Sequence, residues 1–401
     1  FLGIFYGILN GTGALRVLVN KIATYFKKCE KLFLVLCSSL FIIISSFIGI
    51  DFPLLIFMPL VVGIILTLGF DKITALKTII IPILIGSMGS LYSSKFYGPL
   101  AGYIEPGITH GWYKLAIIVI GLVGMGLYLY FTSKVLKGKA KETINEEMLF
   151  IEKDEGPKKQ KIWPLVTILS VILVLYILGL TPWASMFKFL GFETFHKSLL
   201  DFKIGNFTIF KSILGFTTVA FGTWSITSIN TLLVILSVVL ILIYKVEWKK
   251  AYENAFEGIK KLLPTAVLVT LSSIIFVMVS QTDILNTILK MTVDLAKGLN
   301  VFTYSIASFL GAALANSDFI TTYVTGTLSS ILGENANLQL LIFIQQVMYG
   351  IAMLIAPTSI VLLTGLSYLE VDYTKWLKNI WKLVLVLVAI SIIILTIAIR
   401  L

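Results

Sequence analysis

Asp51 and Asp318 are the residues of this chain best placed to do chemistry. Each is the sole charge in a long apolar stretch, Asp51 between Lys31 and Asp71, Asp318 between Lys297 and Glu334. A carboxylate at a bilayer centre costs about 2.5–3.5 kcal/mol on insertion scales, so such residues face a cavity or a partner and mark ion or substrate paths. Two readings fit. The carboxylate holds a monovalent cation or a substrate amine, or it caps a half-helix, whose N-terminus favours a negative charge. Short polar residues stand beside each: Ser45, Ser46 and Gly49 before Asp51, and Asn316 and Ser317 before Asp318. Further along, Gly86, Gly89, Ser90, Ser93 and Ser94 in one segment, and Ala356, Pro357, Thr358 and Ser359 in another, interrupt apolar helices. Such groups supply neutral ligands, and a proline frees a backbone carbonyl. Lys95 is the one base deep in this region, either a snorkelling lysine or half of an ion pair. Gln345 and Gln346 either line a cavity or bond between helices.

The elements that must position these residues are membrane helices. The chain has 401 residues, 58% of them hydrophobic and only 13% charged, with a mean hydropathy of +0.97. Soluble domains average about 25% charged residues. Runs of about 20 apolar residues recur, which reads as an all-α, multi-pass membrane protein. Whole spans are expected at 112–133, 163–181, 227–244, 263–281 and 378–400. The net charge of +11 comes from lysines clustered in loops, not from a nucleic-acid surface, and no nucleic-acid partner is expected. Residues 134–161 carry eight lysines and form a solvated linker. Placing that linker inside puts 16–31, 72–77, 245–261 and 369–382 inside as well, and 102–111 and 182–226 outside. Residues 245–261 read as an amphipathic surface helix, and 183–226 as an aromatic interfacial arm. The chain opens at Phe1, and FLGIFYGIL reads as the end of a membrane helix, so a preceding piece is expected.

The sequence also repeats itself. GTGALRVLVNKIATYFKK resembles QTDILNTILKMTVDLAKG; IGIDFPLLIFMPL resembles ANSDFITTYVTGTL, aligning Asp51 with Asp318. The first copy's leading stretch is basic and inside; the second's falls outside, so the copies are inverted. Residues 32–69 are too many for one span and must end on the side where they began, as a re-entrant hairpin with its tip near Ser45–Asp51. The second tip falls at Ala315–Asp318. The expected organisation is a first repeat over 1–133 (hairpin 32–69, broken helix 73–104), a cytoplasmic linker over 134–162, and scaffold helices with the arm over 163–244. A second repeat follows over 245–401 (hairpin 301–333, broken helix 338–368). Inverted repeats with interrupted segments in matching positions point to a secondary transporter's binding site.

GTGALRVLVNKI, LGFDKITAL, APTSIVLLTGL and DYTKWLK resemble the YfcC/DcuC-type carriers, which move four-carbon dicarboxylates or basic amino acids, within the ion transporter superfamily. The resemblance runs over nearly the whole chain and is weakest at 183–226. It implies a dimerising scaffold, elevator-type transport, and substrate and cation at the hairpin tips and helix breaks. By alignment these fall on Gly49, Asp51, Ser93, Ser94, Asn316 to Asp318 and Pro357 to Ser359. This chain departs from the usual pattern: it has Ala315-Asn316-Ser317-Asp318 where a Ser-Gly-Ser-Gly type tip is common, and Ser94-Lys95 where an asparagine-proline pair is common.

The reading is a secondary active transporter of the cytoplasmic membrane for a small carboxylate or amino acid, coupled to a cation or driven by exchange. A homodimer in the lipid bilayer is expected, with no cofactor beyond Na⁺ or H⁺ as coupling ion, held near Asp51 and Asp318. Basic amino acid exchange, such as arginine for ornithine, is the alternative, and a channel is a further one. An enzyme is disfavoured: HExxH and GxSxG are absent, and His110 and His196 fall in loops.

Overall fold

The computed structural model describes residues 1–49, 51–97, 107–135, 160–205, 207–214, 218–284, 287–288, 290–291, 301–315 and 338–400. Asn316, Ser317 and Asp318, with the rest of the second hairpin to 333 and residues 98–104 of the first broken helix, lie outside the described residues.

The chain opens with α1 (Leu2–Gly11) and α2 (Ala14–Phe26), bent by 83° at Thr12-Gly13. Gly13 takes the left-handed conformation there, at φ 71°. Helix α3 (Glu30–Ile48) ends on Gly49, also left-handed at φ 67°. A 3₁₀ turn (Phe52–Phe57) and α4 (Met58–Leu68) follow. Side chains of α3 (Phe33, Cys37, Phe41, Ile44) and of α4 (Leu60, Val61) face one apolar cavity of 220 Å³. Next come α5 (Lys72–Met88), the short α6 (Ser94–Tyr97) and α7 (Gly111–Thr132). After the linker lie α8 (Trp163–Leu180), α9 (Trp183–Phe187) and α10 (Gly191–Leu200). A two-stranded antiparallel ribbon, β1 (Lys203–Ile204) and β2 (Phe207–Thr208), pairs Lys203 with Thr208 and leads into α11 (Ile209–Leu214). The rest of the chain comprises α12 (Ile226–Tyr244), α13 (Trp248–Ser280), α14 (Val301–Ala315), α15 (Leu338–Ala352), α16 (Ile360–Leu369) and α17 (Tyr373–Arg400).

Among the described residues six helices are long and apolar enough to cross a membrane, or seven if the bent α1–α2 pair counts as one span. An α-helix rises 1.5 Å per residue, so about 20 residues cover a hydrocarbon core of about 30 Å. The chain is therefore a mainly helical, multi-pass membrane protein. Helices α4 and α16 are shorter than a span, and non-helical backbone at membrane depth needs protein or water to satisfy it.

Two expectations about element boundaries change. The surface helix at 245–261 and the span at 263–281 are one continuous helix, α13, of 33 residues, with Pro264 in its interior. Proline removes one backbone donor and need not end a helix that packed neighbours support; α13 packs on α1 and α16. Gly86 does not interrupt the first broken helix. It lies inside α5, where α3 comes so close that a Cβ would sit 2.5 Å from the Ile42 carbonyl oxygen.

The core is continuous through the bundle. Pro82 and its neighbours from Ile79 to Ile85 on α5 are buried, as are Phe343 to Ala352 on α15. Helix α5 is thus covered on all sides, which explains why its sequence is apolar without a marked stripe. It is the element against which α3, α4, α7, α15 and α16 all pack.

Candidate functional site

The first break lies between α5 and α6, at Gly89–Ser93. The loop is sewn to the turn at Gly49, where the sequence placed a hairpin tip. Leu91 donates its backbone N–H to the Ser46 carbonyl at 3.2 Å, and Ser93 Oγ donates to the Gly49 carbonyl at 3.0 Å. The approach is close enough to require glycine. A Cβ on Gly49 would lie 2.6 Å from the Tyr92 carbonyl oxygen and 2.9 Å from Ser90 Oγ, in a backbone conformation that side chains disfavour.

Two residues past the tip glycine is Asp51, 3% exposed. Of the two readings of this residue, the cap is what the geometry shows. Its Oδ1 accepts from the Phe52 N–H at 3.0 Å, capping the 3₁₀ turn. Lys95, on α6, donates from Nζ to Oδ1 at 3.2 Å and to Oδ2 at 3.3 Å. Tyr349, on α15, donates its hydroxyl to Oδ2 at 2.8 Å. Lys95 Nζ also bonds the Tyr349 hydroxyl and lies 4.2 Å from the centre of its ring, a cation–π geometry. Phe96 packs edge-on against the same ring at 5.3 Å. Tyr349 carried no signal in the sequence beyond its place one residue before Gly350 in an apolar helix. Gly350 brings α15 against α5, with the Leu84 carbonyl 2.9 Å from where its Cβ would be.

The predicted serines are here, and their protons are already bonded. Ser45 Oγ donates to the Ile83 carbonyl at 2.7 Å, Ser46 Oγ to Ile43 at 2.7 Å and Ser90 Oγ to Tyr92 at 3.2 Å. A hydroxyl that donates its proton keeps its lone pairs, so each retains acceptor capacity. Ser94 is the first residue of α6.

The freed carbonyls at the end of α5 are met from other helices. Gln346 Nε2, on α15, donates to the carbonyls of Ser87 at 3.1 Å, Met88 at 3.1 Å and Ser90 at 2.7 Å. Lys114, on α7 and fully buried, donates to the Leu91 carbonyl at 3.1 Å and lies 5.2 Å from the Tyr97 ring centre. The sequence reading missed Lys114 because it stands three residues into a span, where a lysine normally reaches back to the interface. Neither amide atom of Gln345 has a hydrogen-bond partner among the described residues, although the side chain is buried.

The second break runs from Met353 to Ser359, between α15 and α16. Ser359 N-caps α16, accepting from the Leu362 N–H at 3.3 Å. Thr358 donates to the Ala313 carbonyl on α14 at 2.6 Å. Pro357 starts no helix and is exposed. Trp376 Nε1 donates to the Leu354 carbonyl at 2.9 Å, and the Tyr373 hydroxyl donates to Ile355. The YTKWLK element thus supplies donors to the two carbonyls just before APTS, a physical reason for the two to occur together.

A separate cavity is apolar. A groove of 470 Å³ between α7 and α17 is lined by apolar residues such as Gly121, Met125, Val386 and Ile390, with Lys382 among them. It offers little to a polar substrate.

A model of the C4-dicarboxylate anaerobic carrier family, DcuC, matches residues 1–400. The chain belongs to this family. It is also similar to a protein of Escherichia coli strain K12 named "Putative basic amino acid antiporter YfcC", with 21% identity over 403 residues, covering 93% of this chain and 71% of that relative. The DcuC-family chain is a membrane transporter and not an enzyme.

Proposed function

We propose that this transporter carries a small carboxylate, in the first place a dicarboxylate, across the cytoplasmic membrane. Transport is coupled to a cation or driven by exchange. The observation that carries the reading is the meeting of the first tip, the first break and the second broken helix at one point, through Asp51, Lys95 and Tyr349. Around that break stand two lysine amines, Lys95 paired with the Asp51 carboxylate and Lys114 on the Leu91 carbonyl, and the excess of amine donors over carboxylates favours an anionic substrate group. The family's name points to the same class.

Basic amino acid exchange is the second reading, favoured by the named function of the Escherichia coli relative. It needs a carboxylate for the substrate's cationic end. Asp51 is already engaged by Lys95 and Tyr349, so that role falls to Asp318.

The architecture that serves either substrate is two inverted repeats, 1–133 and 245–401. Their hairpins at 32–69 and 301–333 present Ser45 to Asp51 and Asn316 to Asp318 to a site between them. The broken helices at 73–104 and 338–368 add Ser90, Ser93, Ser94 and Pro357 to Ser359. Matching adjacency supports this: α3 packs on α5, and α14 packs on α15. Residues 163–244 form the scaffold through which two copies dimerise, and the site moves past it as an elevator.

The test is counterflow in proteoliposomes with succinate, fumarate, malate, arginine and ornithine, at varied Na⁺ and pH. Saturable counterflow of a dicarboxylate is expected, and flux that rises linearly without saturation is the signature of a channel. Normal transport by folded Asp51→Asn protein would remove the first tip from the site.

A further inference from the structure

Asp51 has no acceptor capacity left for a free ion. An ionised carboxylate offers about four lone-pair positions. Here the four contacts are Lys95 Nζ on each oxygen, the Phe52 N–H on Oδ1 and the Tyr349 hydroxyl on Oδ2. The ammonium is equally committed, with three donors directed at Oδ1, Oδ2 and the Tyr349 hydroxyl. The pair is neutral and enclosed, Asp51 at 4% and Lys95 at 20% side-chain exposure. Adding an inorganic cation would put two positive charges on one carboxylate in a weakly screened place. Lys95 cannot diffuse away. It stands in α6, directly after the loop whose Ser93 is bonded to the tip.

We propose that Lys95 is a specificity-determining residue: its tethered ammonium occupies the place at the first tip where a free monovalent cation would bind, so that Na⁺ has no site there, and removing the amine opens one. The proposal rests on the transporter reading for its consequence, that any Na⁺ dependence of transport arises away from Asp51. It rests on the ion-pair geometry alone for its binding prediction. Taking away one partner of a buried pair leaves an uncompensated charge, and that charge is what would draw a cation into the vacated space. Asp51 and the Tyr349 hydroxyl would be its ligands.

The experiment measures thermal unfolding of the full chain in detergent. NaCl is titrated against choline chloride at constant ionic strength, for wild type, Lys95→Ala, Lys95→Asn, Asp51→Asn and the Lys95→Ala/Asp51→Asn double variant. A ligand that binds only the folded state raises stability in a saturable way. Wild type and Asp51→Asn are expected to respond to Na⁺ alike. The two lysine variants are expected to gain a saturable midpoint rise of at least about 2 °C that the double variant lacks. Lysine variants recovered folded in Na⁺ but not in choline would support the proposal equally. A wild-type Na⁺ response abolished by Asp51→Asn would overturn it. So would folded lysine variants with no response beyond that of the double variant. Should neither lysine variant be recoverable in either salt, the comparison of wild type with Asp51→Asn decides alone. Because melting reads binding without transport, failed counterflow would overturn the function while leaving this result standing.

Discussion

Replacing Gln346 by methionine should destabilise the protein far more than the same change at its neighbour Gln345. The Gln346 amide donates to three carbonyls at the end of α5, those of Ser87, Met88 and Ser90. Ser87 keeps a second donor, the Ser90 N–H at 3.3 Å, so Met88 and Ser90 are the carbonyls that lose most. A buried polar group left without its partner costs about 1–3 kcal/mol, and methionine nearly conserves the volume. The two together give a loss of about 2–4 kcal/mol. For a chain of this length that is a fall in melting midpoint of about 3–6 °C, extrapolating from smaller domains. Gln346→Glu should be worse than methionine, because it points a carboxylate at three acceptors. Gln345 has neither amide atom bonded among the described residues, so Gln345→Met should leave the midpoint within about 1 °C of wild type. Intrinsic-fluorescence melting of the three variants in detergent reads all of this directly. Equal midpoints for Gln346→Met and wild type would refute the assignment of Gln346 as the cap of the broken helix.

Three further outcomes follow from the same structure. Gly49→Ala puts a Cβ 2.6 Å from the Tyr92 carbonyl oxygen at φ 67°, and a loss of about 1–3 kcal/mol in thermal or denaturant unfolding is expected. Gly7→Ala drives a Cβ to 2.2 Å from the Asn254 carbonyl oxygen where α1 crosses α13, whereas Gly124→Ala meets open space; the first should lower the yield of monodisperse protein and the second should not. Burial, and secondarily the Lys114 ammonium, hold the His110 imidazole below its ordinary 6.5. A depressed histidine favours the folded state above the unfolded pKa, and that contribution is lost as pH falls from about 6.5 through the folded value. His110→Asn, which tolerates the left-handed backbone at φ 54°, should therefore flatten the acid side of the stability profile below about pH 6.5.

Much of this was legible in the sequence because membrane helices announce themselves by composition. Isolated charges and misplaced glycines announce what is not an ordinary span. Asp51 stood out because nothing near it in sequence could neutralise it, and Lys95 was already the nearest candidate. What could not be read was the third partner. Tyr349 lies 298 residues from Asp51, and a tyrosine in an apolar helix looks like packing until the fold brings its hydroxyl to a carboxylate. Gly86 misled for a related reason, since a glycine serves a close helix approach as readily as a break. The split of 245–261 from 263–281 misled because a change from amphipathic to apolar composition need not end a helix, and α13 runs through both.

The first break is better understood as a supported structure than as a flexible one. Of the carbonyls between Ser87 and Ser93, those of Ser87, Met88 and Ser90 accept from Gln346. Leu91 accepts from Lys114, Tyr92 from the Ser90 hydroxyl, and Ser93 from the N–H groups of Phe96 and Tyr97. The donors come from α15, α7, α6 and the loop itself, while the tip at Ser46 and Gly49 accepts in return. Non-helical backbone at membrane depth persists only where protein or a water-filled cavity satisfies it, and here protein does. Bonds shared among these elements tie the loop to α3, α7 and α15 at once.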